Sequence, residues 1–326
     1  MKIDKNKIKS ILFITLSNLG DVILTTPVLE KLCDEFPGAS IDVVTSPVGR
    51  EIFSFHPRTK DIIVYEKHGS LKKRLEHFFK LRRKKYDLVV DLKNTLVPYL
   101  LGARFKTRLS FIKRGRHKME EHLTKLSSLG IDAFSNNKFF APITNLDRNL
   151  ADQLQSSLGE GAKMVVISPG AKSHLKRWDA TKFALLADRL AEELGCRALV
   201  CGNEDDRQTV DRVMALIKKD ARNLCCKTSV GALSEIMKRS ALVITNDSAP
   251  LHMASATDAP TVAIFGPSDE VKYGPLAEKR KIVKPDVPCR PCGKALCAIG
   301  PDKGCIDKIT VEQVFDAAKE LLEEGR

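Results

Sequence analysis

The sequence lacks several features that would assign a protein to a class at once. It has one tryptophan and four tyrosines among 326 residues, and no apolar run approaches the ~20 residues that a membrane-spanning helix needs. It contains neither a G-x-G-x-x-G dinucleotide fingerprint nor the Gly-Lys-Ser/Thr of a P-loop. These absences argue against an integral membrane protein, a nicotinamide-dependent enzyme and a P-loop NTP hydrolase.

Acidic residues are scarce in the first half of the chain. The net charge is +13, and residues 1–150 hold 28 Lys or Arg against 16 Asp or Glu, whereas the remainder holds 26 against 25. Within residues 66–118 the ratio is 17 to 4. Such a surplus favours a polyanionic partner, namely nucleic acid, a phosphorylated lipid or an anionic membrane surface. The alternative is a generally solvated basic surface.

Strand and helix patterns alternate through most of the chain. In the first half they predict strands at 10–16, 41–45, 62–66 and 88–92, with helices at 22–36, 71–85 and 117–129. A second series begins with a strand at 164–168 and a helix at 180–194. Alternation of this kind predicts two parallel sheets covered on both faces. We place the linker at 136–149 and the domains at 1–145 and 146–326, with the final helix at 311–324 able to pack back on the first domain.

The segment 241–267 has the pattern of a complete βαβ unit. Apolar strands at 241–245 and 261–265 flank the polar turn Asn246-Asp247-Ser248 and a short helix at 249–256 that has Pro250 in its first turn. The free amides and the dipole of such a helix favour a phosphate, and Asp247 could accept hydrogen bonds from sugar hydroxyls. An ordinary helix cap in an ordinary βαβ unit is the alternative, and the spacing leaves both open.

Three other loops follow predicted strands, where ligands of doubly wound sheets bind. The loop at Ser168-Pro169-Gly170 is followed by Lys176, a point charge suited to phosphate. Glu204 follows the strand that ends near residue 201 and could bind a ribose hydroxyl, although a helix-start acid is equally consistent. Asp21, in Leu19-Gly20-Asp21, is either a general base or a helix N-cap.

These motifs resemble those of the heptosyltransferases, the ADP-heptose:lipopolysaccharide glycosyltransferases. The resemblance rests on residues 16–27 with their Gly-Asp and Thr-Pro, on Pro-Gly-Ala followed by Lys-x-Trp at 169–178, on 245–252 with 263–267, and on a cysteine-rich tail, all in the family's order. The pattern is closest to the heptosyltransferase II group. The family often has glycine where this chain has Ala249.

The resemblance implies a GT-B fold, with two Rossmann-like, doubly wound domains facing a central cleft. It implies an inverting, metal-independent transfer of heptose from ADP-heptose to the lipopolysaccharide inner core, with no cofactor, in which Asp21 is the catalytic base. The C-terminal domain would bind the donor through Ser168, Gly170, Lys176, Glu204, Asn246, Asp247, Ser248, Ala249 and His252. Trp178 is expected to pack the loop rather than to contact the ligand.

The basic N-terminal domain would bind the phosphorylated lipopolysaccharide core, because Arg and Lys clamp phosphates and sugar acids. The acceptor candidates are Ser17, Asn18, Lys93, Arg104, Arg108, Lys113, Arg114 and Arg116. The helix at 71–85, with Phe78 and Phe79 beside a basic run, could lie on an anionic membrane, although a core helix with a solvated basic face is the alternative. We therefore expect a cytoplasmic protein, peripheral on the inner face of the membrane.

Four cysteines share a short Pro/Gly-rich segment in the spacing C-x2-C-x4-C-x7-C. A cluster of this kind could hold Zn²⁺ or an iron–sulfur cluster, but the spacing departs from two separate C-x2-C knuckles. A structural or redox-labile loop is the alternative to a zinc site at Cys289, Cys292, Cys297 and Cys305.

Two other functions fit part of the sequence. A different nucleotide-sugar glycosyltransferase on the same fold would differ in base and sugar preference. A nucleic-acid-binding protein would explain the charge but neither the two α/β halves nor the capped phosphate loops, so we expect no nucleic acid partner.

Overall fold

The structure is a computed structural model that describes residues 3–65, 70–109, 116–135, 137–159, 161–294, 296–297 and 304–324. The chain divides into two compact units, Met1–Pro142 and Ile143–Arg326. Each unit contains one parallel sheet flanked by helices. The predicted class of two parallel α/β domains is confirmed.

The first unit is built on a five-stranded parallel sheet in the order β3-β2-β1-β4-β5. β1 and β4 lie at its centre and are buried along nearly their whole length, as expected for strands covered by helices on both faces. The strands are β1 (Ser10–Ile14), β2 (Ser40–Thr45), β3 (Thr59–Val64), β4 (Leu88–Asp91) and β5 (Phe105–Lys106).

The described residues of the first unit form six helices: α1 (Leu19–Ile23), α2 (Thr26–Glu35), α3 (Pro47–Phe53), α4 (Leu71–Arg83), α5 (Val97–Leu100) and α6 (Lys118–Ser127). The prediction of one helix over 22–36 is wrong, because the chain breaks between α1 and α2. Pro27 occupies the first turn of α2, where its missing N–H does least harm. The Thr25 hydroxyl donates to the Val22 carbonyl (2.6 Å), which stabilises the break.

The second unit contains a six-stranded parallel sheet in the order β11-β10-β9-β6-β7-β8. β6 and β9 are its central neighbours, and their residues are almost completely buried. The strands are β6 (Lys163–Ser168), β7 (Cys196–Val200), β8 (Ala221–Asn223), β9 (Leu242–Asn246), β10 (Thr261–Ile264) and β11 (Arg280–Val283).

Seven helices lie in the part of the second unit that the structure describes: α7 (Asn145–Ser157), α8 (Ala180–Leu194), α9 (Arg207–Leu216), α10 (Val230–Arg239), α11 (Ala249–Ala256), α12 (Glu270–Tyr273) and α13 (Val311–Glu323). The helices predicted at 180–194 and 249–256 are confirmed. α7 begins inside the segment that we predicted as a linker. Its first turn is closed by a capping box between Thr144 and Asp147.

The last helix is part of the core of the second unit. α13 buries Val314, Phe315, Ala318 and Leu321 in the same hydrophobic core as strands β6, β9 and β10. It packs against α8 and β11. Its apolar face matches this position because the buried residues recur at helical spacing. In the ranges described above, no helix has both the length and the apolar composition to cross a membrane.

A buried histidine on α6 makes the folded state less stable at low pH. His122 is 1% exposed, and neither ring nitrogen has a hydrogen-bond partner among the described residues. Burial, together with the neighbouring Lys118, Lys125 and His117, lowers the pKa of His122 to about 3. Between pH 6.5, where the unfolded side chain titrates, and about pH 3, only the unfolded state takes up this proton. The free energy of unfolding therefore falls as the pH falls through this window.

We expect His122→Leu to lose less stability than the wild type between pH 7 and about pH 4.5, because the variant removes the unfolded-state proton uptake. Urea denaturation of the full chain, followed by circular dichroism at both pH values, measures the difference. His77→Leu on α4, where the histidine is only half-buried, is the matched control and should keep the wild-type acid loss. An equal loss in His122→Leu and wild type would exclude His122 as a source of acid sensitivity.

Candidate functional site

The loops at the carboxyl edge of the second sheet bring together most of the predicted donor residues. Because β7, β6, β9 and β10 are parallel neighbours, the loops that follow them lie side by side. These loops carry Ser168 and Gly170 after β6, Glu204 after β7 and Asp247 after β9. Residues far apart in the sequence thus meet at one edge, where ligands of such sheets bind.

Lys176 and Asp247 form the central contact of this edge. The Lys176 Nζ atom lies 2.6 Å from Asp247 Oδ2, and the two residues are 71 positions apart. The Asp247 side chain is 5% exposed, whereas that of Lys176 is 33% exposed. The ammonium group thus keeps access to solvent while it neutralises a buried carboxylate. Since an ammonium has three N–H donors, Lys176 can bind an anion without leaving Asp247.

Asn246 holds the loops together rather than facing a ligand. It is completely buried, its side-chain amide donates to the Pro169 carbonyl (2.8 Å), and its Oδ1 accepts from the Trp178 backbone N–H (3.2 Å). Trp178 is buried against Phe183 and donates its Nε1–H to the Ile309 carbonyl (3.0 Å). We therefore assign Asn246 a positioning role, in place of the predicted donor contact. The expected packing role of Trp178 agrees with its burial.

The amino end of α11 lies beside this ion pair. Ser248 is the N-cap residue in an extended conformation, and its hydroxyl makes no cap bond to the helix. Ala249 and Pro250 form the first turn and are half-buried. His252 follows on the same helix and is 5% exposed. The first-turn amides and the helix dipole give this end a partial positive charge beside Lys176.

Gly170, in the loop after β6, lies too close to Asp206 for any larger residue to fit without a shift. A Cβ atom at Gly170 would lie 2.1 Å from Asp206 Oδ1. Asp206 closes the turn after β7 by accepting from the Asn203 backbone N–H (3.3 Å), and burial raises its pKa. Ser168 is buried and hydrogen-bonds the Cys201 thiol. Sequence reasoning missed Asp206, because nothing local indicates that it faces Gly170.

Glu204 is exposed and already paired. Its two carboxylate oxygens accept from Arg207 at 2.8 and 2.7 Å, and Oε2 also accepts from the Cys226 thiol at 3.3 Å. The Arg207 guanidinium, and after it the Cys226 thiol, lowers the pKa of Glu204 to about 2. A ribose hydroxyl would thus meet a fully ionised carboxylate shared with an arginine.

Asp21 in the first unit is not the N-cap of its helix. Asn18 is the N-cap of α1, and Asp21 lies one turn further on, where its Oδ2 accepts from the Asn18 side-chain amide at 3.0 Å. Asp21 is half-buried, and Ser17 and Asn18 are exposed. The alternative N-cap role is therefore wrong, and the second carboxylate oxygen has no hydrogen bond within the described residues.

The basic residues of the first unit differ in how they are held. Lys93 is half-buried, lies 5.5 Å from the Tyr65 ring centroid, and has a pKa lowered by burial. Arg104, Arg108 and Arg116 are exposed. Arg104 and Arg116 lie over the rings of Phe105 and Phe134 at 5.3 and 5.8 Å. The two remaining candidates, Lys113 and Arg114, lie outside the described residues.

A buried lysine that sequence reasoning missed holds the loop before Lys93. The Lys125 ammonium donates to the Asp91 carbonyl and to Asn94 Oδ1, each at 2.7 Å, and burial lowers its pKa to about 8. The Asp91 carboxylate accepts from the backbone N–H groups of Lys93 (2.8 Å) and Thr95 (2.7 Å). The loop at the end of β4, next to the Asp21 loop at the end of β1, is thus tied down from both sides.

The zinc hypothesis gains no support from the geometry. Across the parts of the chain that the structure describes, no three His, Cys, Asp or Glu side chains are grouped so that they could hold a metal ion. Cys289, Cys292, Cys297 and Cys305 are all free thiols. Their segment is anchored instead by Arg290, whose guanidinium donates to the Ser268 carbonyl at 3.0 Å and to Glu270 at 3.1 Å.

The chain also matches a known protein family. Residues 74–302 match glycosyltransferase family 9 (heptosyltransferase). This chain belongs to that family. The predicted heptosyltransferase resemblance is thereby confirmed, and the protein is a glycosyltransferase of the heptosyltransferase class.

Relatives of this heptosyltransferase cover nearly its whole length. The chain is 28% identical to lipooligosaccharide heptosyltransferase 2 of Campylobacter jejuni over 312 residues, which cover 93% of this chain and 95% of the relative. A solved family 9 glycosyltransferase from Veillonella parvula superposes with a TM-score of 0.86 at 27% identity, covering 99% of both chains. The Escherichia coli ADP-heptose lps heptosyltransferase II superposes with a TM-score of 0.77 at 22% identity, covering 97% of this chain and 99% of that chain. The GT-B fold is therefore confirmed.

We expect Gly170→Ala to lower the free energy of unfolding by about 1–3 kcal/mol, because the added methyl group collides with the Asp206 carboxylate. The cost should shrink in an Asp206→Ala background, since that change removes the atoms nearest to the new methyl group. A double-mutant cycle measured by urea denaturation gives this coupling. Gly38→Ala is the control, because nothing lies within 4 Å of its Cβ position. Additive effects of the two changes would contradict the close approach.

Proposed function

We propose that this heptosyltransferase transfers heptose from ADP-heptose to the phosphorylated inner core of lipopolysaccharide, with inversion at the anomeric carbon and without a metal ion. The observation that carries the proposal is the Lys176–Asp247 pair beside the amino end of α11. It sets one solvent-accessible ammonium beside the positive end of the α11 dipole, a combination that binds a diphosphate. The name of the E. coli relative gives ADP-heptose as its donor, and ADP-heptose contains such a diphosphate.

We assign the donor to the second unit. Lys176 and the amino end of α11 would hold the diphosphate, and Glu204 would accept a hydrogen bond from the ribose. Asp247, held by Lys176, would accept from a sugar hydroxyl. As the bond between the anomeric carbon and the diphosphate oxygen breaks, negative charge grows on ADP, and Lys176 with the dipole of α11 stabilises it.

We assign the acceptor to the first unit. Asp21 would take the proton of the attacking acceptor hydroxyl, whose oxygen forms the new bond to the anomeric carbon. Asn18 binds one oxygen of this carboxylate, which leaves the other for the proton. The sugar acids and phosphates of the core would bind several separate cations, because they carry several anionic groups. The cations that we assign to this role are Lys93, Arg104, Arg108 and Arg116, and Ser17 would add a neutral hydrogen bond to the acceptor.

The place of action follows from the acceptor. A lipid-linked acceptor lies at a membrane surface, and the donor is a nucleotide sugar, so we propose that the enzyme works as a peripheral protein at the cytoplasmic face. The basic surplus of the first half of the chain favours an anionic bilayer there.

Asp21→Asn is expected to lower kcat by about 10²- to 10⁴-fold while ADP affinity stays unchanged, because the amide cannot accept the proton and does not touch the nucleotide. ADP release with ADP-heptose and a defined core acceptor measures kcat, and calorimetric titration measures ADP affinity. Asp34→Asn, which removes an exposed carboxylate from α2, should leave both unchanged. A large loss of ADP binding in Asp21→Asn would reassign Asp21 to a structural role.

Lys176→Met should weaken ADP binding by about 10- to 100-fold, because it removes a charge-assisted hydrogen bond to the diphosphate. Lys176→Arg should recover part of the affinity. The control Lys218→Met, which changes an exposed lysine after α9, should bind ADP as the wild type does. Titrations with UDP and GDP run in parallel and test the base preference. Wild-type affinity in Lys176→Met, or tighter binding of UDP or GDP than of ADP, would contradict the donor assignment.

A further inference from the structure

The short helix α5 exposes apolar side chains that no described residue covers. Leu96 is 62% exposed, Leu100 is 57% exposed, and Tyr99 and Leu109 are each 43% exposed. On the opposite side of α5, Val97 and Leu101 pack on the core of the first unit. The helix therefore has an inner apolar face that stabilises the fold and an outer apolar face that does not. We call Leu96, Tyr99, Leu100 and Leu109 the α5 patch.

The α5 patch is continuous. Leu96, Tyr99 and Leu100 have the i, i+3 and i+4 spacing that places side chains on one side of a helix. The Leu109 backbone N–H lies 3.5 Å from the Tyr99 hydroxyl, which brings the segment after β5 onto the helix. The Lys106 ammonium lies 5.7 Å from the Tyr99 ring centroid. Apolar and basic groups thus share one small surface.

The charge around the α5 patch has one sign. From residue 92 to residue 119 the sequence contains eight Lys or Arg and no Asp or Glu. Arg104 and Arg108 are exposed there, and Lys106 adjoins Tyr99. Leucine side chains with a tyrosine, set among cations, match the boundary between acyl chains and anionic headgroups. A nucleic acid backbone would use the cations but would not bury aliphatic side chains.

We propose that the α5 patch docks this heptosyltransferase on an anionic phospholipid bilayer. Leu96, Leu100 and Leu109 enter the headgroup–acyl boundary, and Tyr99 lies at its polar edge. Lys106, which has no assigned role in acceptor binding, binds a lipid phosphate. This inference rests on the proposed function, because it brings the acceptor-binding unit to the surface that holds a lipid-linked acceptor.

The α4 helix, which the sequence suggested as the membrane-binding element, is the weaker candidate. It exposes Leu75 and Phe79 to 48% and 54%, but Glu76 lies between them in the sequence. Lys84, just after α4, forms ion pairs with Asp42 (2.7 Å) and Asp61 (2.5 Å). These carboxylates neutralise part of the positive charge at this end of α4. No acidic residue interrupts the segment around α5. We therefore place the membrane contact at α5 rather than at α4.

Partitioning of the full chain to vesicles of phosphatidylglycerol and phosphatidylethanolamine tests the proposal. The double variant Leu96→Ser/Leu100→Ser should bind these vesicles at least about tenfold more weakly than the wild type, because two side chains no longer enter the bilayer. The matched control Leu75→Ser/Phe79→Ser should bind within about twofold of the wild type. Wild-type binding should weaken on phosphatidylcholine vesicles and at high salt, because the cations lose their anionic partners.

Three outcomes would overturn the docking surface. One is a loss of vesicle binding in the α4 variant with wild-type binding in the α5 variant. Another is wild-type protein that binds duplex DNA but not the vesicles. Circular dichroism melting of both variants separates a docking defect from misfolding, and a folded α5 variant with unchanged binding also contradicts the proposal.

Turnover with a deacylated, water-soluble core acceptor separates this inference from the proposed function. Leu96 and Leu100 have no assigned role in catalysis, so their double variant should turn over this acceptor at the wild-type rate. If the wild type turns over but shows no vesicle binding, the docking surface is wrong and the proposed function stands. If the wild type releases no ADP with any core acceptor, the proposed function fails whatever the vesicle result.

Discussion

The ion pair between Lys176 and Asp247 is the contact on which the second unit's site depends. Charges taken out of water are stabilised only when they are paired, and Asp247 is nearly inaccessible while Lys176 is not. The pair therefore holds a cation at a defined point of the sheet edge before any ligand arrives. Asn246, next to Asp247, is bound to the loop after β6, so the same short segment positions both the carboxylate and the loop that leads to Lys176.

In the proposed function the two units would meet their anionic ligands in different ways. A diphosphate is compact, and one ammonium beside the amino end of a helix can bind it. A phosphorylated glycolipid spreads its charges over several groups, and several separate cations match them better. The uneven distribution of basic residues, with a surplus of twelve in residues 1–150 and of one in the remainder, fits this difference. It also explains why the first unit carries basic residues beside exposed apolar ones, whereas the edge of the second unit carries paired charges.

Local patterns in the sequence were sufficient for most of the strands and for the loops that follow them. The turn at Asp247 and the helix α11 were predictable because apolar runs, cap-forming residues and a proline in the first turn are local signals, and Pro250 occupies that position. Long-range contacts were not predictable in this way. The approach of Asp206 to Gly170 and the burial of Asn246 arise only when strands β6, β7 and β9 are adjacent. α7 was missed although its N-terminal capping box was a readable signal.

The loop after β4 shows how packing prepares a binding surface. Its Asp91 carboxylate accepts two backbone N–H groups, and Lys125 donates to its carbonyl and to Asn94. Burying an ammonium is unfavourable, as the lowered pKa of Lys125 records, so the fold retains it at a cost in stability. A loop held this firmly loses little conformational freedom when a ligand binds. The backbone that carries Lys93 is therefore ordered when the protein folds, and in the proposed acceptor site little of that cost would fall on binding.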